Sequence, residues 1–502
     1  MSNLCVSKTK ITAWAIIFLL LLSSCQAVEP KPSVENTPDL PLVEKPDIEA
    51  IQETTPTEEQ AQDDVLLTQG PWILLHASSG LWIQNLDGTA VKQIYDGFII
   101  APSDLNRGFA RSKNLLAFIS SVDASSYAEL SLIIMQLPQG TIVEKLPLAS
   151  PDKEPGQNAE ICDPNFESAR AATIGQPLAW SPDQSRLAFT GIMDGESADV
   201  YIYDLTNKST KRVSDEPGQA YDLHWHWVPT SQTIAYFSAD CFGTGAGFSG
   251  AEIWATDAES GQAKILLESS PEIFAHEFLT WVGSGSLSFV AASISGCPYR
   301  DLRIVDIENQ TDSLLQDGCF NDYAIGPTGS LAILIGEDFS EEPGVKIYNE
   351  PEISSLSPTL VADENAREIK FISSKYYVQT FTESGPQIYA LDWNGKVTGS
   401  YPWKTFPAIS KDESSYAWNE AGMLFLTTPA AEAPLELCQS DALSPYWYEA
   451  QDETGAFQQY MLFGCSMPEK GLFLLSSPDY QMRKLNSEIE LLSEPIMLYE
   501  SE

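Results

Sequence analysis

Basic side chains are scarce in this chain. Of its 502 residues, 28 are lysine or arginine and 70 are aspartate or glutamate, which gives a formal net charge of −42 at pH 7. A surface this acidic repels the phosphates of nucleic acids and anionic lipid headgroups. We therefore expect no nucleic-acid partner. The composition leaves cations, cationic polymers, neutral glycans and other proteins as partners of a chain that we expect to be monomeric.

Long apolar runs are absent after residue 24, where no segment approaches the roughly 18 uninterrupted apolar residues that span a bilayer. The one apolar run near the N-terminus begins at Ile11, behind Lys8 and Lys10, and ends in Leu22-Ser23-Ser24-Cys25. A basic start, an apolar stretch of this length and small residues at its end are typical of an export signal. The run is too short for a spanning helix.

The Leu-Ser-Ser-Cys ending resembles the lipobox of bacterial lipoproteins. In that family the signal is cleaved before the cysteine, whose thiol and new amine then carry acyl chains. The resemblance implies a signal peptide over residues 1–24 and a lipidated Cys25 as the only membrane anchor. It places the mature protein in the cell envelope, outside the cytoplasm, on a bacterial membrane. The alternative is an ordinary signal peptide or uncleaved anchor in which the cysteine occurs by chance.

Aromatic residues are absent from residues 26–69, which contain eleven acidic side chains and only Lys31 and Lys45 as basic ones. Prolines recur through the same stretch. A segment of this composition cannot bury enough apolar surface to fold. We therefore predict that residues 25–69 form a lipidated, disordered, proline-rich tether.

Cysteine pairs of the C-x-x-C type are absent, which excludes that redox or zinc motif. Six cysteines follow Cys25, and an even number in an oxidising compartment suggests disulfides. They are Cys162, Cys241, Cys297, Cys319, Cys438 and Cys465. Six cysteines allow 15 pairings, and this count alone does not choose among them.

From Gly70 onward, short runs rich in β-branched and aromatic residues alternate with turn residues, and no long segment has helical periodicity. This pattern predicts an all-β domain. A repeat is marked by Trp180, Trp227 and Trp281, which lie 47 and 54 residues apart. The third predicted strand of each repeat is followed by an aspartate: Asp204, Asp257 and Asp306. A period near 40–50 residues with four strands per repeat indicates a β-propeller.

The repeats resemble the WD40-like units of TolB-type β-propellers, whose pattern is roughly W-S-P-D-G, then I-A-F, then I-Y-x-x-D. Residues 177–205 match closely. The looser matches are residues 97–148, 320–361, 366–401, 404–438 and 442–486. The resemblance implies a single propeller of four-stranded blades over residues 70–490, followed by a C-terminal tail over 491–502. The units number eight or nine, and eight blades are favoured over seven, because weak units can merge or terminal units can share a blade. Residues 70–96 look like a unit that lacks its first strand.

In a blade of strands a to d, the b-to-c and d-to-a connections open on one face, which we call the loop face. The a-to-b and c-to-d turns open on the other, the turn face. The predicted strands place all six cysteines in connections of the loop face and favour the pairs Cys297–Cys319 and Cys438–Cys465. Binding sites usually lie on loops held by a rigid scaffold. We therefore expect the functional site on the loop face.

Histidine is rare, with four in the chain, and three share repeat positions. His224 and His226 alternate on one predicted inner strand, while His276 and Asp222 each precede the tryptophan of their blade by five residues. Imidazoles with carboxylates can bind zinc or manganese. Some TolB-like lyases bind uronate sugars through metal-binding histidines, and the resemblance implies a metal-dependent polysaccharide lyase or hydrolase. A structural role, with the histidines hydrogen-bonded to neighbouring strands or waters, is favoured; we therefore expect no cofactor and keep the metal-dependent enzyme as the alternative.

Further ligand contacts are predicted on the loop face. Phe242, Phe248 and Tyr299 are placed to stack on sugar rings or to anchor a protein, and Arg300 is a rare positive charge beside them. Residues 245–250 fit G-x-G-x-x-G, but they lie between predicted strands without the helix that a dinucleotide site needs. No G-x-S-x-G nucleophile motif occurs, which argues against a peptidase. The sequence therefore favours a non-enzymatic module that binds a protein or an envelope glycan.

Overall fold

The computed structural model describes antiparallel β-strands joined by turns, with a 3-10 helix at Arg111–Lys113. All described residues belong to one structural unit, Thr57–Glu502. Within the described ranges, no helix has the length and apolarity needed to cross a membrane. The described residues are 72–86, 88, 90–100, 105–122, 130–149, 178–193, 198–214, 219–221, 227, 232–239, 252–268, 275–282, 285–291, 298–326, 329–336, 338–339, 343–349, 354–355, 366–382, 385–440, 444–451, 457–485 and 496–498.

The strands group into nine four-stranded repeats within the described ranges, which we call blades 1 to 9. Blade 1 contains β1 (Trp72–Ala77), β2 (Gly80–Asn85), β3 (Val91–Tyr95) and β37 (Ile496–Leu498). Blade 2 contains β4 (Phe98–Ile100), β5 (Phe109–Ala110), β6 (Leu115–Ser121), β7 (Ser131–Gln136) and β8 (Thr141–Pro147), with β4 and β5 forming an interrupted first strand. Blade 3 contains β9 (Ala179–Trp180), β10 (Arg186–Gly191), β11 (Asp199–Asp204) and β12 (Ser209–Arg212).

The next three blades have the same strand order. Blade 4 contains β13 (Gln219–Tyr221), β14 (Thr233–Ala239), β15 (Glu252–Asp257) and β16 (Ala263–Leu267). Blade 5 contains β17 (Ala275–Val282), β18 (Ser286–Ala291), β19 (Tyr299–Asp306) and β20 (Thr311–Phe320). Blade 6 contains β21 (Asp322–Ile325), β22 (Leu331–Ile335), β23 (Gly344–Asn349) and β24 (Ser354–Ser355).

The last three blades precede β37 along the chain. Blade 7 contains β25 (Ala366–Ile372), β26 (Lys375–Thr382), β27 (Gly385–Leu391) and β28 (Val397–Tyr401). Blade 8 contains β29 (Ala408–Ile409), β30 (Tyr416–Glu420), β31 (Met423–Thr427) and β32 (Leu435–Ser440). Blade 9 contains β33 (Tyr446–Gln451), β34 (Phe457–Met467), β35 (Gly471–Ser476) and β36 (Gln481–Lys484).

Burial explains the sequence pattern of these strands. The second strands of blades 2 and 6, β6 and β22, are buried at every position because both sheet faces pack against neighbouring blades. The sequence of such a strand is a continuous apolar run, without the alternation of apolar and polar residues that a half-exposed strand has. The outermost strand β8 is exposed or half-buried throughout and carries Glu144 and Lys145. The apolar runs of the sequence therefore mark the middle of each blade.

Blade 1 is completed by both ends of the described chain. β37 pairs antiparallel with β1, with Leu498 opposite Trp72 and Ile496 opposite Leu74. It supplies the first strand that residues 70–96 lack in the sequence. The propeller therefore extends past residue 490 into the segment that the sequence assigns to a C-terminal tail. A strand of three residues is too short to be distinguished from a tail by its pattern.

Blades 8 and 9 share one sheet, because the end of β32 pairs with the end of β34. Gln439 lies opposite Met467, and Ser440 lies opposite Cys465. Counted as hydrogen-bonded sheets, the described strands give eight, the number favoured from the sequence; counted as four-stranded repeats, they give nine. The sequence left the number of blades open because weak units can merge and terminal units can share a blade. Both occur: blades 8 and 9 merge into one sheet, and the two terminal segments share blade 1.

An apolar cluster lies between each two successive blades of the described chain. A further cluster joins blade 9 to blade 1, where Leu462 and Leu474 pack with Ile73 and Leu75. Because the last blade packs against the first, the described blades form a closed ring. The core is therefore a series of interfaces around the ring rather than a single centre.

Candidate functional site

The connections between strands b and c divide the loop face into two parts. In blades 2 to 6 these connections are residues 122–130, 192–198, 240–251, 292–298 and 336–343. In blades 7, 8, 9 and 1 they are residues 383–384, 421–422, 468–470 and 78–79. We call the first part the long-loop sector and the second the short-hairpin sector. Strand directions alternate in an antiparallel blade, so all of these connections open on the same face.

The turn face is organised by the aspartates that follow the third strand of each repeat. The Oδ1 atoms of Asp204, Asp257 and Asp306 accept backbone N–H groups three residues later at 2.9, 2.7 and 2.7 Å. These bonds from the aspartate side chain to the backbone of the following turn fix the hairpin geometry. The repeated aspartates therefore have a structural role on the turn face.

The W-S-P-D segment of blade 3 forms a second recurrent turn. Ser181 donates its hydroxyl to Asp183 at 2.6 Å and accepts the N–H of Arg186 at 2.9 Å. The hydroxyls of Ser181 and Ser185 lower the pKa of Asp183 to about 2. In blade 8, Ser410 makes the equivalent bonds to Asp412 at 2.6 Å and from the N–H of Ser415 at 2.9 Å. A loose sequence match therefore has the same local structure as the close one.

The predicted disulfide Cys438–Cys465 is confirmed, and it joins β32 of blade 8 to β34 of blade 9. Cys319 is also disulfide-bonded, and every other cysteine, including its predicted partner Cys297, lies outside the described residues. The placement of the three described cysteines in connections was wrong. They lie within β20, β32 and β34, near the ends of these strands, because the strands run further toward the loop face than their apolar runs indicate.

Tyr299 and Arg300 lie at the loop-face end of β19 in blade 5. The half-buried Tyr299 ring stacks on buried Phe320 at 5.6 Å and meets Tyr323 edge-on at 5.1 Å. Arg300 keeps 46% of its side chain exposed, with its Nε atom 3.4 Å from Oδ2 of Asp301. Asp301 sits at a bulge with φ of 49° and accepts the N–H of Gly318 at 2.8 Å. Tyr299 thus packs at the junction of blades 5 and 6 and leaves Arg300 facing solvent.

The remaining predicted ligand residues lie outside the part that the structure describes. These residues are Cys25, Asp222, His224, His226, Phe242 and Phe248. The backbone of His276 lies in β17, at the loop-face end of the first strand of blade 5, and its side chain is not among those described. Among described residues, no group of three histidine, cysteine or acidic side chains is arranged to hold a metal ion. The predicted metal site therefore stays a prediction.

Asp322, at the loop-face end of β21, ties the first strands of blades 6 and 7 together. Its Oδ2 atom accepts the N–H of Ile369 at 2.8 Å, and its Oδ1 atom accepts the N–H of Tyr323 at 2.9 Å. Burial raises the pKa of the Asp322 carboxyl above its usual value. Both oxygens already accept backbone N–H groups, which indicates that this carboxylate holds two blades in register.

Most of the large exposed apolar side chains in the described chain occur at two kinds of position. Several lie on the outermost strands, as do Leu314 and Met482. Others lie at the loop-face ends of strands: Phe98 and Val122 in blade 2, Phe381 in blade 7 and Met467 in blade 9. Sequence reasoning missed Phe381 and Met467, because an apolar residue at a strand end has the same pattern whether it is buried or exposed. Their signal is the short b-to-c connection that directly follows each of them.

No protein-family model matches the chain, and no curated protein matches it by sequence. Similar solved structures include a prolyl endopeptidase from a study of two such enzymes and their inter-domain dynamics. It has 12% identity, covers 72% of this chain and 54% of its own, and has a TM-score of 0.38. The acylaminoacyl peptidase of Pyrococcus horikoshii has 15% identity, covers 72% and 57%, and has a TM-score of 0.33. The chain thus spans little more than half the length of either enzyme.

The β-propeller domain of the Trilobed protease from Pyrococcus furiosus, described as having an open velcro topology, is also similar. It has 12% identity, covers 76% of this chain and 95% of that domain, and has a TM-score of 0.36. The propeller fold of the present chain rests on its own strand order and on the packing of its nine described blades.

Proposed function

We propose that this chain is a bacterial lipoprotein, anchored to the membrane through Cys25, whose TolB-type propeller acts as a non-enzymatic binding module on its loop face. The partner is a protein or a cell-envelope glycan. Supporting the proposal, the Leu-Ser-Ser-Cys ending precedes an acidic, proline-rich stretch suited to hold a domain away from a surface.

One observation carries the binding role. Five successive blades have long b-to-c connections on the same face, while on the other face aspartate side chains fix the c-to-d turns of blades 3, 4 and 5. A rigid ring that concentrates long connections on one side is the arrangement by which scaffolds present binding loops. The predicted contacts Asp222, His224, His226, His276, Phe242, Phe248, Tyr299 and Arg300 belong to this face in the sequence.

The test uses the full chain cross-linked in the cell envelope. Replacing residues 240–251 with an Asn-Gly hairpin is expected to abolish the cross-linked partner while leaving the protein in the membrane fraction. Cys25→Ser is expected to release it from that fraction, and Cys5→Ser serves as the control that leaves the anchor intact. Metal analysis of the wild type and of the His224→Ala/His226→Ala variant supplies the opposing outcome. Stoichiometric metal that is lost in the variant, together with cleavage of polyuronates, would overturn the non-enzymatic role.

A further inference from the structure

The described chain enters the ring on the turn face, where blade 1 packs against blade 2. β1 begins there with Trp72, because the hairpin at residues 78–79 joins its other end to β2 on the loop face. Trp72 is 5% exposed and shares an apolar cluster with Leu105 and Phe109 of blade 2. Its indole N–H has no hydrogen-bond partner among the described residues. This buried donor therefore requires an acceptor that the described residues do not supply.

A basic turn of blade 2 lies beside this entry point. It is the 3-10 turn Arg111–Lys113, which joins β5 to β6 on the turn face and exposes both of its basic side chains. The Arg111 guanidinium lies 5.1 Å from the centre of the Phe109 ring, and Phe109 packs in the same cluster as Trp72. Residues 105–121 contain three basic side chains and no acidic one. This turn is therefore a local positive region on a chain whose net charge is −42.

Uncharged contacts fix the basic turn to blade 3. The backbone N–H and the hydroxyl of Ser112 both donate to Oε1 of Gln184, at 2.8 and 2.6 Å. Acidic side chains on the turn face of blade 3 are bonded within that blade: Asp183 accepts hydroxyls of its own turn, and Asp204 lies 3.5 Å from Arg186. A charged turn that is fixed before binding loses less conformational entropy when a carboxylate arrives.

We propose that the acidic segment 57–71, which directly precedes β1, docks on the basic turn through the carboxylates of Asp63 and Asp64. The segment carries four acidic side chains and no basic one, and it belongs to the same structural unit as the ring. Asp64 precedes Trp72 by eight residues, which span up to about 26 Å when extended. Packed sheets are about 10 Å apart, so these carboxylates can reach the adjacent blade. The inference concerns the turn face and goes beyond the binding role proposed for the loop face.

Covalent attachment favours this segment over a separate anion. A free polyanion is repelled by the net charge of −42, whereas an attached segment is present at an effective concentration of about millimolar. Exposed ion pairs are individually weak, so they hold an attached segment more readily than a free ligand. The carbonyl groups of the segment also provide acceptors for the indole N–H of Trp72. Docking here keeps the acidic segment on the turn face and leaves the loop face open to a partner.

The test is carbodiimide cross-linking of the detergent-solubilised full chain, because this reagent joins an amine directly to a carboxylate that contacts it. We expect an amide between Nζ of Lys113 and the carboxylate of Asp63 or Asp64, identified by mass spectrometry. Its yield should fall about fivefold at about 1 M salt, where exposed charges are screened. A mixture of light and isotope-labelled chains should give links within single chains.

Two matched variants test the contribution of the charge. Arg111→Gln keeps the Lys113 amine but removes its basic neighbour, and it should lower the yield about threefold. Lys396→Gln removes an exposed basic side chain from a turn of blade 7 on the same face, and it should leave the yield unchanged. Equal thermal midpoints check that both variants fold.

Several outcomes overturn this inference. They are the absence of a link from Lys113 to residues 57–71, links only between different chains, a yield that does not change with salt, and equal yields in the two variants. The partner cross-link that tests the proposed function depends on residues 240–251 of the loop face. If that cross-link forms while Lys113 does not join the acidic segment, the binding function stands and this inference fails.

Discussion

The repeated tryptophans connect neighbouring blades. Trp180 and Trp227 are buried, as the sequence predicts for blade-core residues. Each donates its indole N–H to a carbonyl of the preceding blade: Trp180 to Gly108, the turn residue before β5, at 2.8 Å, and Trp227 to Ala179 of β9 at 3.0 Å. The period of the repeat identifies these tryptophans. It does not identify their acceptors, which lie 72 and 48 residues away and are set by the packing of one blade on the next.

His76, the one histidine outside the predicted metal-binding group, is also a core residue. It lies in β1 with only 4% of its surface exposed, and its Nδ1 atom has no hydrogen-bond partner among the described residues. Burial lowers its pKa below the ordinary value of 6.5. The neighbours Leu75 and Ala77 predict an apolar environment for this strand position. The sequence does not indicate whether a histidine there has a hydrogen-bond partner.

Replacing His76 with phenylalanine is expected to change the pH dependence of stability. The folded protein holds this imidazole neutral, so the unfolded chain binds the extra proton as pH falls below about 6.5. Wild-type stability should therefore fall from pH 7 to pH 5, and His76→Phe should remove this part of the slope. The variant should also be about 1 kcal/mol more stable at neutral pH, because an unpaired buried polar group is lost. Urea unfolding at each pH measures both effects, and an unchanged slope would contradict the assignment.

At the scale of the strands, the shared sheet of blades 8 and 9 is the feature that the sequence does not predict. The unit bounds 404–438 and 442–486 agree closely with blades 8 and 9. However, β34 continues past Leu462, the last of its residues that pairs with β33. This continuation is the part of β34 that pairs with β32. The pair Cys438–Cys465 was predictable from nearness in the repeat. Its position between two strands was not, because strand ends are the least certain part of the pattern.

Removing the disulfide should destabilise this junction. The two cysteines are 27 residues apart, and a loop of this length predicts a loss of about 3.5 kcal/mol in the Cys438→Ala/Cys465→Ala variant. Ser466→Ala is the matched control at the same junction. It removes only the hydroxyl that donates to the carbonyls of Gln439 and Ser440, and should cost about 1 kcal/mol. Denaturant unfolding compares the two, and equal losses would show that the covalent link adds nothing beyond local packing.

For the whole molecule, closure of the ring depends on a segment that composition does not distinguish from a tail. The sequence predicts the four-stranded repeat and most unit bounds, because the buried middle strands of each blade are apolar on both faces. It leaves the number of units open, because closure depends on a match between distant segments. β1 is buried along its whole length, and its inner edge is covered by β37 through three residue pairs. Without β37, this apolar strand would become an open edge.

Truncation after residue 495 is therefore expected to open the ring at blade 1. Loss of three residue pairs should lower the free energy of unfolding by about 3 kcal/mol and make the protein self-associate through β1. Truncation after residue 498 leaves β37 in place and serves as the control. A synthetic peptide of residues 491–502 should restore the thermal midpoint of the shorter chain by adding the missing strand, whereas a scrambled peptide should not. If both truncations unfold at the same temperature as the full chain, β37 is not needed for closure, and the packing of blade 9 on blade 1 is sufficient to hold the ring.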